Sequence, residues 1–126
     1  MAAKILVVDD DRNMRELLAL HLGNAGYEVE TAADGIAGGY SVLRNRPDLI
    51  ISDVNMPHMN GFEFIEAVRS DSALRGIPVI FLTSAAEGQE RGKALGAVGY
   101  VPKPVRADTL LSIIAAHVPG GVHAIG

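Results

Sequence analysis

The chain has 126 residues, enough for one domain with a core that needs no covalent staples. Its 48% hydrophobic and 21% charged residues argue against disorder, and the lack of cysteine excludes a disulfide framework, thiolate zinc sites, iron–sulfur ligation and a cysteine nucleophile together. Fifteen acids against eleven bases leave a formal net charge of −4, which speaks against direct nucleic-acid binding. No stretch reaches the apolar length of a membrane span, and the N-terminal residues do not read as a signal peptide, so a cytoplasmic location is expected.

In chain order, Lys4 to Val8 is a short apolar run that stops at Asp9-Asp10-Asp11 and predicts a strand. Asn13 to His21 follows with Met14, Leu17, Leu18 and Leu22 at helical spacing, and Asn13 with Glu16 resembles a capping pair. Gly23 to Gly26 closes that helix. Glu28 to Ala32 reads as a second strand, and Ile36, Tyr40 and Leu43 mark a second helix that closes before Pro47.

Leu49 to Asp53 reads as a third strand, with a loop at Pro57 to Gly61 whose turn signal is Asn60-Gly61. Phe64, Ile65 and Val68 begin a third helix, and Val79 to Thr83 is a fourth strand. Glu87 to Leu95 predicts a fourth helix in which Gly88 and Gly92 each weaken helicity by about 1 kcal/mol relative to alanine. Gly99 to Val101 is a short fifth strand, and Leu110, Ile113, Ile114 and His117 give a fifth helix stopped at Pro119. Residues 120–126 read as a tail or the start of a linker, leaving one domain over 1–119.

Five strands alternating with five helices imply an α/β fold, a parallel sheet covered on both faces. The strands are continuous hydrophobic runs, as doubly covered strands should be. In such sheets ligands bind beyond the carboxyl ends of the strands. Strand one ends in Asp9, Asp10 and Asp11, strand three in Asp53, strand four in Thr83-Ser84, and strand five leads into Lys103-Pro104. Taken singly, these read as helix-entry acids, a loop cap, a β-branched strand residue and a solvated lysine. Together, four of five strand exits carry groups able to ligate a metal, accept a phosphoryl group or hold an oxyanion. Three carboxylates close together repel one another, so one should tend to hold a proton, and a hard cation would relieve the repulsion. Asp10 and Asp53 are the natural direct ligands, with Asp9 direct or through water. His58 is a lone loop histidine and is left out of the metal set.

This constellation resembles the receiver domain of two-component response regulators, above all the single-domain chemotaxis type. The resemblance runs through Val7-Val8-Asp9-Asp10, Ile51-Ser52-Asp53-Val54-Asn55-Met56-Pro57, Phe81-Leu82-Thr83-Ser84, Gly99-Tyr100 and Val101-Pro102-Lys103-Pro104, in the family's order and spacing across essentially the whole chain. It implies a doubly wound (βα)5 flavodoxin-like fold with strand order 2-1-3-4-5, which puts the four chemical strand ends side by side. It also implies Asp53 as phosphoacceptor, with Thr83 and Lys103 holding phosphoryl oxygens. Mg²⁺, or Mn²⁺ in its place, would sit on Asp9, Asp10, Asp53 and the backbone carbonyl of Asn55.

By the same resemblance, the donor is a phosphohistidine on a sensor histidine kinase or phosphotransfer protein. Thr83 and Tyr100 form the switch, and the face of helix four, strand five and helix five changes to control a partner protein or a fused output domain. The chain is then not a turnover enzyme; it transfers and loses its own phosphoryl group. The Lys103–Pro104 bond is cis in the family. Gly88 and Gly92 would make helix four locally soft and so the element that shifts. Val105 stands where the family often carries a larger side chain, and the small Ala85 leaves water access to the phosphoryl group.

Two other classes compete. A small phosphatase of the haloacid-dehalogenase type would use Asp9 as nucleophile, since Asp9-Asp10-Asp11 matches its Asp-x-Asp spacing. Against it, no acidic pair follows a later strand and no cap is inserted. A nucleotide-binding module is disfavoured by the lack of a Gly-x-Gly-x-x-Gly or Walker pattern.

Overall fold

The computed structural model describes residues 2–84 and 88–118. The elements are β1 (Lys4–Val8), α1 (Arg12–Asn24), β2 (Glu28–Ala32), α2 (Gly35–Arg44), β3 (Leu49–Asp53), α3 (Gly61–Arg69), β4 (Val79–Thr83), α4 (Gln89–Ala94), β5 (Gly99–Pro102) and α5 (Ala107–His117). All strand pairs are parallel, in the order β2-β1-β3-β4-β5. The parallel sheet covered on both faces is what the alternating elements imply, and its doubly wound order is the one the receiver-domain resemblance implies.

β3 and β4 are buried at every residue, and β1 at every residue after Lys4. Alternate side chains feed opposite faces of the sheet. Leu6, Val8, Ile50 and Phe81 join Val42, Phe64, Ile65 and Val68 of α2 and α3 in one core. Ile5, Val7, Ile51, Ile80 and Leu82 join Leu18, Leu22, Leu110 and Ile114 of α1 and α5 in the other. Val105 packs on the α1/α5 side.

The helix ends differ from the sequence reading. α1 is capped by Asp11, whose side chain accepts from the backbone of Asn13 and Met14. Asn13 lies inside the helix, and Glu16 instead pairs with Arg12 at 3.0 Å. Asp11 wins because its carboxylate already stands one residue ahead of the first helical turn. α3 opens earlier than its apolar residues suggest, on a capping box in which Asn60 and Glu63 each accept from the other's backbone N–H.

α2 exists where expected but is rotated relative to the pattern that identified it. Ile36, Tyr40 and Leu43 are its solvent face, at 56%, 67% and 70% exposure, and the buried face is Gly35, Gly38, Ser41 and Val42. Gly38 explains the rotation. A Cβ there would lie 3.0–3.2 Å from Phe64 and Val8, so the bare glycine lets this face close on the sheet. The exposed stripe edges an apolar groove of about 400 Å³ shared with Met59, Phe64 and Leu74. Ala85, Glu87 and the expected tail 120–126 lie outside the described residues.

Candidate functional site

Strand register builds the site. Val8 pairs with Ser52, so the next residues, Asp9 and Asp53, leave the sheet side by side. Asp53 pairs with Leu82, so Thr83 follows one step on. Thr83 pairs with Pro102, so Lys103 follows in turn, and its backbone N–H donates to the Thr83 carbonyl at 2.7 Å. Asp9, Asp53, Thr83 and Lys103 are thus brought together at one edge by pairing, with Asp10 next to Asp9.

Lys103 bridges the carboxylates. Its Nζ lies 3.3 Å from Asp53 Oδ2 and 3.4 Å from Asp9 Oδ2. Asp9 is fully buried, Asp53 and Thr83 nearly so, while Asp10 is exposed. One oxygen from each of Asp9, Asp10 and Asp53 lies within 4.8 Å of the others. Three hard oxygen donors against one ammonium leave a surplus of negative charge, and this donor set fits a small divalent cation such as Mg²⁺.

The electrostatics follow from this crowding. Burial, with Asp9 beside it, pushes the Asp53 carboxyl up to about 6, against the opposing pull of Lys103 and a backbone hydrogen bond from Asn55. This is the shared-proton tendency expected for clustered acids. Burial pulls the Lys103 ammonium down, but Asp9 and Asp53 together outweigh it and hold the group above its ordinary value.

Several supports were not legible as site residues. Asp9 Oδ1 accepts from the Asp11 N–H at 2.9 Å, and Arg15 Nη1 donates to the Asp9 carbonyl at 2.7 Å, pinning the turn that presents Asp10. Gly61, read only as half of a turn signal, stands under Asp53. A Cβ on it would lie 2.2 Å from the Asp53 carbonyl oxygen, and its N–H donates to the Val54 carbonyl at 2.8 Å. Only a residue without Cβ can start α3 that close to the strand end. The neighbouring His58 is exposed and takes φ 70°.

Behind Thr83 the side chains are aromatic. Phe62 meets Phe81 edge-on at 5.0 Å, and Phe81 meets Tyr100 at 6.2 Å. Tyr100 is half-buried and packs against Gly88 and Gly92. The two glycines therefore serve close approach: Gly88 also takes φ 92° at the start of α4, and a Cβ at Gly92 would press on Tyr100 and Phe81. The Lys103–Pro104 peptide bond is cis.

A doubly wound parallel sheet with an acidic cluster and a lysine at its carboxyl edge belongs to the α/β class that binds its ligands at that edge. The family model of the response regulator receiver domain matches residues 5–115, and the chain belongs to that family. Among solved structures it is similar to the chemotaxis response regulator CheY4 of Vibrio cholerae, with 44% identity and a TM-score of 0.88 over 94% of this chain and all of that one. A putative response regulator from Chloroflexus aurantiacus is 31% identical, with a TM-score of 0.87 over 92% of this chain and 97% of that one.

Response regulator MprA of a Mycobacterium species is 40% identical over 118 residues, covering 92% of this chain and 50% of MprA. The DNA-binding dual master transcriptional regulator RpaA of Synechocystis is 35% identical over 115 residues, covering 90% of this chain and 48% of RpaA. The chain spans about half the length of these curated relatives. The phosphatase alternative finds no support: the family match is to a receiver. Among the described residues, no helix is long and apolar enough to cross a membrane.

Proposed function

We propose that this receiver takes a phosphoryl group onto Asp53 and relays its presence through Thr83 and Tyr100. The observation that carries the reading is the placement of Lys103 Nζ, 3.3 Å from Asp53 Oδ2 and 3.4 Å from Asp9 Oδ2, beside three clustered carboxylates. An Asp53 carboxylate oxygen attacks phosphorus of a phosphohistidine; the P–O bond forms as the P–N bond breaks, and the imidazole leaves with a proton from solvent. The donor is a sensor histidine kinase or a phosphotransfer protein.

Asp9, Asp10, Asp53 and the Asn55 carbonyl would hold Mg²⁺, or Mn²⁺, which when bound neutralises phosphoryl oxygens and carboxylate repulsion. Lys103 moves from balancing two carboxylates to pairing with a phosphoryl oxygen. The Thr83 hydroxyl donates to another. Phosphorylation adds charge and three strong acceptors beside Thr83, and the adjoining Phe81–Tyr100 contact carries the change to the surface of α4, β5 and α5. The functional unit is the domain over residues 1–119. Its output is a protein partner or a fused domain, not direct nucleic-acid contact, and it works in the cytoplasm. Loss of the phosphoryl group to water resets it without turnover of an external substrate.

Intact mass after incubation with Mg²⁺ and acetyl phosphate tests the assignment. One phosphoryl adduct on the wild type, absent from Asp53→Asn and from a chelated sample, is expected. An adduct that persists in Asp53→Asn and disappears in Asp9→Asn would overturn it.

A further inference from the structure

α4 is the shortest helix among the described residues, with six residues and one buried position, Gly92. Gly88 begins it without a side-chain cap hydrogen bond. Two arginines on opposite partners of the α3–α4 contact compensate. At the C-terminal end, Arg69 of α3 donates through Nε to the Leu95 carbonyl at 3.0 Å and through Nη1 to the Ile77 carbonyl at 2.7 Å. At the N-terminal end, Arg91 of α4 places Nη2 3.0 Å from Glu66 Oε2 of α3 and its guanidinium carbon 5.2 Å from the Phe62 ring centroid.

The two contacts differ in kind. Arg69 is half-buried and bonds backbone carbonyls on both sides, so it ties three segments together whatever the surface side chains do. The Arg91 and Glu66 side chains are 45% and 51% exposed, so water competes for their ion pair and it opens easily. The flat Arg91 guanidinium also lies over Phe62, the first ring of the series that runs through Phe81 to Tyr100. Gly88 sits in that same contact: a Cβ there would stand 3.0 Å from Phe62 and 3.2 Å from Tyr100 Oη.

We propose that Arg91 is a positioning residue, a latch that holds the first turn of α4 on α3 through Glu66 and Phe62, with Arg69 as the hinge at the far end. This rests on the phosphoacceptor reading, since the latch opposes the displacement that phosphorylation drives. By linkage, whatever releases the first turn of α4 raises affinity for a phosphoryl group at Asp53, and the reverse.

The test is a titration with beryllofluoride, a phosphoryl mimic, in saturating Mg²⁺, paired with amide exchange of the ligand-free proteins. Arg91→Ala is expected to bind beryllofluoride about fivefold more tightly, which corresponds to about 1 kcal/mol for a half-exposed ion pair and ring contact. The Gly92 amide, which bonds the Gly88 carbonyl at 3.0 Å, should exchange faster while those of α3 hold. Glu66→Gln should give part of the gain, and the double variant no more than Arg91→Ala alone. Arg91→Lys, which keeps the charge but not the flat group on Phe62, should fall between. Wild-type affinity with unchanged α4 exchange in Arg91→Ala, or gains from Glu66→Gln and Arg91→Ala that simply add, would overturn the latch. If the wild type binds no beryllofluoride, the phosphoacceptor reading fails instead, and the exchange pattern alone decides whether the latch holds α4.

Discussion

Gly61 and the Asp53 carbonyl are packed so closely that a methyl group on the glycine would lie 2.2 Å from the oxygen. The start of α3 is therefore a mould for the strand end that carries the candidate phosphoacceptor. Gly61→Ala should force the β3–α3 turn apart, lowering stability by about 2–3 kcal/mol, as overpacking against fixed backbone does. Because the atom displaced belongs to Asp53, the rate of acetyl phosphate labelling should fall at least tenfold. Urea unfolding and intact mass check the two halves; full labelling at a wild-type rate would show that the turn relaxes without moving Asp53.

Asp53 ionises at about 6 in the folded chain against a reference of 3.8. Between those values the folded state binds more protons than the unfolded state, so stability falls as pH rises through the window and stays lower above it. The full loss is on the order of 3 kcal/mol. In chelator, Asp53→Asn should therefore unfold at higher temperature than the wild type at neutral pH, with the gap closing toward pH 4. Saturating Mg²⁺ should raise the wild type and narrow the gap at neutral pH. A wild type as stable as the variant in chelator at neutral pH would contradict this.

Lys103 is the cation between Asp9 and Asp53. Lys103→Met should leave two buried carboxylates facing each other and lower stability by about 3 kcal/mol at neutral pH. Near pH 5 the loss should shrink, because protonation of Asp53 removes the repulsion. Thermal unfolding at the two pH values measures it, and an equal loss at both would show that the lysine stem, not its charge, is what matters.

His58 holds φ 70° at an exposed position, where a Cβ is unfavourable. His58→Gly should add about 1 kcal/mol of stability by relieving that strain, net of the extra chain entropy glycine brings. Labelling at Asp53 should not change. Loss of labelling would mean that the imidazole itself takes part at the site.

The strands and the carboxyl-edge chemistry were readable because interior parallel strands are unbroken apolar runs and their exits carry the polar residues. Helix orientation was less so. In α2 the apolar residues at helical spacing, Ile36, Tyr40 and Leu43, face solvent, while the opposite face, Gly35, Gly38, Ser41 and Val42, is the one that packs on the sheet. Apolar periodicity records a stripe; it does not say that the stripe is the buried one. Asp11 is legible as an acid, but the sequence pattern points to Asn13 as the cap, two residues late. Gly61 carries no side-chain signal at all, so its contact with Asp53 appears only once β3 and α3 are placed in space. Gly88 and Gly92, read as softening the fourth helix, also let Phe62, Phe81 and Tyr100 approach it closely.

The register that lines up Asp9, Asp53, Thr83 and Lys103 depends on backbone pairing within the sheet, while the outer faces of all five helices lie elsewhere. Substitution load is thereby partitioned. Exposed positions such as Ile36, Tyr40 and Leu43 can diverge freely without disturbing the reactive edge, whereas one slip of β3 against β1 would carry Asp53 away from its neighbours. A library randomised over the helix surfaces should keep acetyl phosphate labelling in most members, and one randomised at interior strand positions should lose it in most.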